Sequence, residues 1–167
     1  MSFSAKVLTV SDGVVAGTRD DSSGQDLKRR LEELGYEVLE HRVVADGSES
    51  VSDALKAMSK GFAGLILTTG GTGFSKRDQT PEGTLEVLER LAPGVSEAMR
   101  LVSPLGRLSR GVAGVVDDCI VINLPGSPKG AIESLAAVED MLEHALSLLL
   151  DYHSKHPNST DQVETDK

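Results

Sequence analysis

GLILTTGGTGFSKRDQTPEGT, residues 64–84, contains a change of pattern that decides the fold. Its first five residues are an apolar run without alternation, as suits a parallel strand covered on both faces. A loop with three glycines in four residues follows (Gly70, Gly71, Thr72, Gly73), and then the charged group Lys76-Arg77-Asp78. Thr80 before Pro81 predicts a helix N-cap with proline in the first turn. Leu85, Leu88 and Leu91 extend that helix at one-face spacing until Ala92-Pro93-Gly94 interrupts it. Strand, glycine loop and helix in this order are one unit of an α/β protein.

The unit repeats on either side. Residues 7–10 read as a first strand, and Leu27, Leu31 and Leu34 as a helix face, with Ser22 and Gln25 as a capping box and Gly35 as its stop. Residues 38–44 (VLEHRVV) give a second strand. Val51, Leu55 and Met58 mark a helix that ends near Gly61. Downstream, residues 95–102 predict a short helix and CIVINL, residues 119–124, a buried strand. Ser127-Pro128 then caps one long amphipathic helix carried by Ile132, Leu135, Leu142, Leu146 and Leu149 to about Asp151. The β-α-β-α-β-α-β-α order predicts a three-layer α/β/α sandwich with a mainly parallel sheet. One domain over residues 1–152 is expected, with a disordered polar tail at 153–167.

Composition narrows the function. The chain has 167 residues, enough to bury about two-thirds of its unfolded surface. With 17 Lys+Arg against 26 Asp+Glu, the net charge is −9. That balance argues against a nucleic-acid partner, which requires a basic face. A small phosphorylated ligand remains compatible, because backbone amides, a metal ion or two cations suffice to hold one. No 18-residue apolar run occurs, so no membrane span is expected. The lone Cys119, in an apolar run, reads as core and as a sign of a reducing, cytoplasmic compartment.

Open α/β sheets bind ligands beyond the carboxyl ends of their strands. Each of those four places here carries a polar or glycine-rich loop. They hold Ser11-Asp12-Gly13 with Asp20 and Asp21, then Asp46-Gly47-Ser48, then residues 70–78, and last Pro125-Gly126-Ser127. Glycines let a backbone approach a ligand and aim several N–H groups at it. The loop is neither a Walker A motif nor a dinucleotide fingerprint. Asp12, Asp21, Asp46 and Asp78 are candidates for Mg²⁺, which takes one or two carboxylates plus phosphate oxygens. Lys76 and Arg77 add cations to the glycine loop, whereas the Ser109-Arg110 pair, taken alone, reads as surface. His41 and His144 lack the spacing for zinc or for a nucleophile–base pair.

Residues 68–84 (TTGGTGFSKRDQTPEGT) resemble the molybdopterin-binding fold family of MogA, MoaB and the G domains of gephyrin and the plant Cnx proteins. Four further blocks agree: TVSDG with a later DSSG (residues 9–24), Val44-Ala45-Asp46, Leu108-Ser109-Arg110 with Ala113-Gly114, and Asn123 to Pro128 (NLPGSP). The resemblance spans about residues 5–150 and implies a MogA/MoaB-like fold, usually trimeric. It also implies molybdenum cofactor biosynthesis by a molybdopterin adenylyltransferase. Such an enzyme moves AMP from Mg-ATP to the terminal phosphate of molybdopterin and releases pyrophosphate. By position, Asp46 and Asp78 correspond to the catalytic and Mg²⁺-binding aspartates. Ser11, Asp12, Asp21, Gly70, Gly71, Thr72, Gly73, Lys76, Arg77, Thr80, Ser109, Arg110, Pro125, Gly126 and Ser127 correspond to substrate-binding positions. The alternative is a MoaB-type molybdopterin-binding module without adenylyl transfer, to which Ala45 points, standing where the family has proline. Which loop takes ATP and which the pterin stays open.

Overall fold

A computed structural model describes residues 2–150. β1 (Ser4–Val10), β2 (Glu37–Val44), β3 (Gly64–Thr69) and β6 (Cys119–Leu124) are parallel, and β5 (Ala113–Val116) and β4 (Arg90–Leu91) close one side antiparallel. The order across the sheet is β2-β1-β3-β6-β5-β4. The chain leaves β1 toward β2 on one side and leaves β3 toward β6 on the other. The crevice between the ends of β1 and β3 is therefore the topological switch point. Register brings the strand ends level, with Val10 beside Val44, Thr9 beside Thr69 and Thr69 beside Leu124. All four following loops rise from one edge.

Alternate residues of the central strands serve two separate cores, which makes the molecule three layers thick. Val7, Leu65, Leu67, Ile122 and Leu124 face α2 (Ser22–Glu33), α6 (Pro128–Ala136) and α7 (Glu139–Leu149). Leu8, Val10, Ile66 and Val121 face α3 (Ser48–Ser59). Every residue of β3 and β6 is buried, as a doubly covered strand requires. Among the described residues no helix is long and apolar enough to cross a membrane.

Four local expectations are corrected. Asp21, not Ser22, caps α2, its side chain accepting from the Gly24 N–H at 3.0 Å. α4 (Thr80–Leu85) begins at Thr80 with Gln79 as its cap, and it stops before Leu88 and Leu91. The chain there becomes the sheet's edge, since Glu89 N donates to Val115 O at 2.9 Å and Ala92 N to Ala113 O at 2.8 Å. Leu91 is accordingly exposed. Pro93 opens α5 (Pro93–Arg100) rather than only ending a helix. The long terminal helix is two helices, α6 and α7, broken where Val138 turns into the core at 2% exposure. The edge strands β4 and β5 were not foreseen. The polar tail at 153–167 lies outside the described residues.

Candidate functional site

A cavity of about 630 Å³ opens at the switch point. Its floor is the glycine loop, whose backbone shape is imposed by close approach. Gly70 has φ +100°, and a Cβ there would collide with the carbonyl oxygen of Val10 at the end of β1. Side chains around the loop hold it from below. Thr80 Oγ1 donates to Gly70 O at 2.8 Å, and Thr84 Oγ1 to Thr80 O at 2.7 Å. Asn123 on β6 donates to the hydroxyls of Thr68 and Thr84, both at 3.0 Å, and accepts from Val112 N at 3.1 Å. These polar groups are buried and satisfied, so they fix the loop rather than await a ligand.

The four aspartates are sorted by what their oxygens already hold. Asp21 accepts from Gly24 N, from Thr9 Oγ1 at 2.8 Å and from the His41 ring at 2.8 Å, so its carboxylate is fully engaged. Asp12 is gripped by the Arg77 fork, through Nε and one terminal nitrogen at 3.0 Å each. The hydrogen bond from Arg77 holds the Asp12 carboxyl below the usual carboxylate range. Asp12 and Asp46 also exchange backbone bonds: Asp12 N donates to Asp46 Oδ2 at 2.8 Å and Asp46 N to Asp12 Oδ1 at 3.0 Å. Asp46 thereby keeps Oδ1 without a partner among the described residues, 3.2 Å from where a Gly71 Cβ would stand. Asp78 accepts from Ser75 N through Oδ2 at 3.0 Å, and that oxygen lies 2.9 Å from a hypothetical Gly73 Cβ. Its Oδ1 is likewise without a partner there. Two carboxylates, each with an oxygen to spare, therefore flank the glycine loop.

Ser11, Asp21, Asp46, the four loop residues Gly70 to Gly73, Asp78, Ser109, Pro125, Gly126 and Ser127 line the cavity together. Asp12, Lys76, Arg77, Thr80 and Arg110 do not line it. Thr80 acts beneath the loop. Arg77 also donates to Asp46 O at 2.6 Å, so it ties three loops together. Arg110 donates to Gly73 O at 2.8 Å, to Asp78 O at 2.6 Å and to the Glu82 carboxylate. That last bond holds the Glu82 carboxyl below its ordinary value. Lys76 is exposed, with no ion pair among the described residues.

Sequence reasoning missed two parts of the lining. Arg19 is the one cation on the cavity wall among the described residues, and its guanidinium makes no hydrogen bond or ion pair with them. Its place in the loop between strand and helix, beside Asp20 and Asp21, was the available signal. Met99, Val102, Leu105 and Leu108 form an apolar wall opposite the polar floor. Met99 comes from α5, Val102 from the link after it, and Leu105 and Leu108 from a 3₁₀ turn (Pro104–Leu108), where no sequence period announced a cavity.

Fold and site together define a doubly wound α/β protein with a ligand cavity of mixed character at its switch point. The family model described as "Probable molybdopterin binding domain" matches residues 6–144, and the chain belongs to that family, the family of MogA and MoaB. It is similar to the molybdopterin adenylyltransferase of Helicobacter pylori J99, with 37% identity over 151 residues, 86% of each chain. The molybdopterin adenylyltransferase of Haemophilus influenzae is 38% identical over 141 residues, covering 80% of this chain and 72% of that one. Among solved structures, the molybdopterin biosynthesis enzyme MoaB of Thermus thermophilus superposes with a TM-score of 0.84 at 45% identity, covering 89% of this chain and 97% of that one.

Proposed function

We propose that this chain is a molybdopterin adenylyltransferase of molybdenum cofactor biosynthesis, moving AMP from ATP to the terminal phosphate of molybdopterin. The observation that carries the reading is the pair Asp46 and Asp78, flanking the glycine loop with one free oxygen each. The names of the relatives from Helicobacter pylori and Haemophilus influenzae support it. In the reaction a phosphate oxygen of molybdopterin attacks the α-phosphorus of ATP, the bond to the bridging oxygen of the β-phosphate breaks, and pyrophosphate leaves. The nucleophile is already ionised near neutral pH, so a strong general base is unnecessary. The task of the protein is alignment of two polyanions and relief of their repulsion.

Asp46 and Asp78 suit Mg²⁺, a hard cation that takes one or two carboxylates and fills its other positions with phosphate oxygens and water. Bound there, Mg²⁺ would neutralise the charge that develops on the phosphates. Backbone N–H groups of residues 71–73 and the Ser127 N-terminal turn of α6 hold phosphate oxygens, Arg19 supplies a positive charge, and Ser11 and Ser109 donate hydroxyls. The apolar wall of Met99, Val102, Leu105 and Leu108 receives a flat heterocycle. Ala45, where the family has proline, leaves Asp46 in place because the Asp12 backbone bonds already hold it.

The test is Mg²⁺-dependent pyrophosphate release from ATP, measured with and without molybdopterin. Release should require both, and Asp78→Asn should lower turnover about 100-fold or more with an unchanged circular dichroism spectrum. Full turnover in a folded Asp78→Asn variant would refute the assignment. A homotrimer and a cytoplasmic location belong to the same proposal.

A further inference from the structure

Arg110 is next to a cavity residue, Ser109, yet it faces the other way. Its backbone N donates to Thr72 O at 2.8 Å. Its side chain passes behind residues 73–78, where Nε reaches Gly73 O, one terminal nitrogen Asp78 O and the other the Glu82 carboxylate. All three nitrogens of the guanidinium thus serve the protein, and none of the side chain lines the cavity. Within the segment it spans, Ser75 N donates to Asp78 Oδ2 and Asp78 N to Ser75 O, each at 3.0 Å, and the carbonyl oxygens of Gly73 and Asp78 are held from outside. Phe74 is 71% exposed, and Ser75, Lys76 and Arg77 are exposed too. At its tip the ties to other loops are exposed ones, from Arg77 to Asp12 and to Asp46 O, and such an ion pair is readily screened by salt.

We propose that Arg110 is a positioning residue: by fixing the carbonyl oxygens at both ends of residues 73–78 it sets the direction of the Asp78 carboxylate, without touching either substrate. A planar fork is required for this, because three acceptors on three sides cannot be met by the point charge of a lysine. The carboxylate of Asp78 leaves the same residue whose carbonyl Arg110 holds. Loss of the fork therefore rotates the group that faces Gly73. The role rests on the adenylyltransferase reading for its kinetic consequence and on geometry alone for its structural one.

The experiment compares Arg110→Ala and Arg110→Lys with the parent protein by two readouts. In hydrogen exchange, the bonded amides of the segment, those of Ser75 and Asp78, should exchange about tenfold faster in both variants, while those of β3 and β6 stay protected. In the pyrophosphate assay, kcat should fall about 100-fold and KM for ATP and for molybdopterin should stay within about threefold, as expected for a misdirected group rather than a lost ligand. The lysine variant should regain only a minor part. A rise in KM with kcat preserved would overturn the proposal, because Arg110 would then be a phosphate ligand. Unaltered exchange at Ser75 and Asp78 would overturn it as well. If Arg110→Ala does not fold, Arg110→Lys decides by the same criteria. A parent protein without transferase activity would refute the function, and the exchange readout would still judge the position of Arg110.

Discussion

At the scale of single residues, the most consequential side chains are those that never meet a ligand. Asn123 is 1% exposed and joins β6 to two threonines and to the backbone of Val112. Asn123→Leu keeps the volume but strands these partners, and unfolding in urea should show a loss of about 2–4 kcal/mol, given roughly 1–3 for each buried group left unpaired. Cys119 illustrates the opposite case, a reactive type made inert. Burial pushes its thiol up to about 11. Since the folded value lies above the ordinary one, the protonated thiol stabilises the fold below about pH 9, and that contribution is lost as pH climbs from 9 toward 11. Native protein at about pH 8 should resist a thiol reagent that labels it fully in denaturant. That Asp46, Asp78 and the glycines would gather beyond the strand ends was legible in the sequence. What each carboxylate already holds was not, because Asp12, Asp46 and Arg77 meet across gaps of 34 and 65 residues.

At the scale of elements, strands of six residues or more were read from the sequence, whereas the short β4 and β5, of two and four residues, were missed. β3 and β6 announce themselves as unbroken apolar runs. β4 has two exposed residues, Arg90 and Leu91, and belongs to the sheet only by pairing with β5, which no local pattern encodes. Helix faces were visible too, but the division between α6 and α7 was hidden because both sides carry leucines at helical spacing. The contact of α4 with α3 depends on Gly83, where a Cβ would press into the Ser48 carbonyl oxygen and the Val51 side chain. Gly83→Val should therefore lower stability by about 1–3 kcal/mol through overpacking, as read from the thermal midpoint. Because α4 starts at Thr80, which grips Gly70, this variant should also loosen the glycine loop, visible as faster amide exchange at Gly70 and Thr80, whose N–H groups bond Leu124 O and Gly71 O.

At the scale of the whole molecule, one apolar region has no cover among the described residues. Leu101 is 80% exposed, Leu105 75% and Leu108 51%, close together after α5. Leu105 and Leu108 also wall the cavity, and Leu101 beside them is where the proposed trimer would make its contact. Sedimentation equilibrium should report three copies per particle, and Leu101→Glu should shift that toward one; a monomer at every concentration would refute the trimer. The order of the strands has a further consequence during synthesis. β1 is made first, but its inner neighbour β3 begins only at Gly64, and β3 waits for β6 until residue 124 has emerged. In that interval β3, buried along its whole length in the folded protein, presents an unpaired edge, so a nascent chain stalled before residue 119 is sticky and invites chaperones or self-association. The same central position that shelters the ligand loops once folding is complete makes their strand the chain's principal hazard on the ribosome.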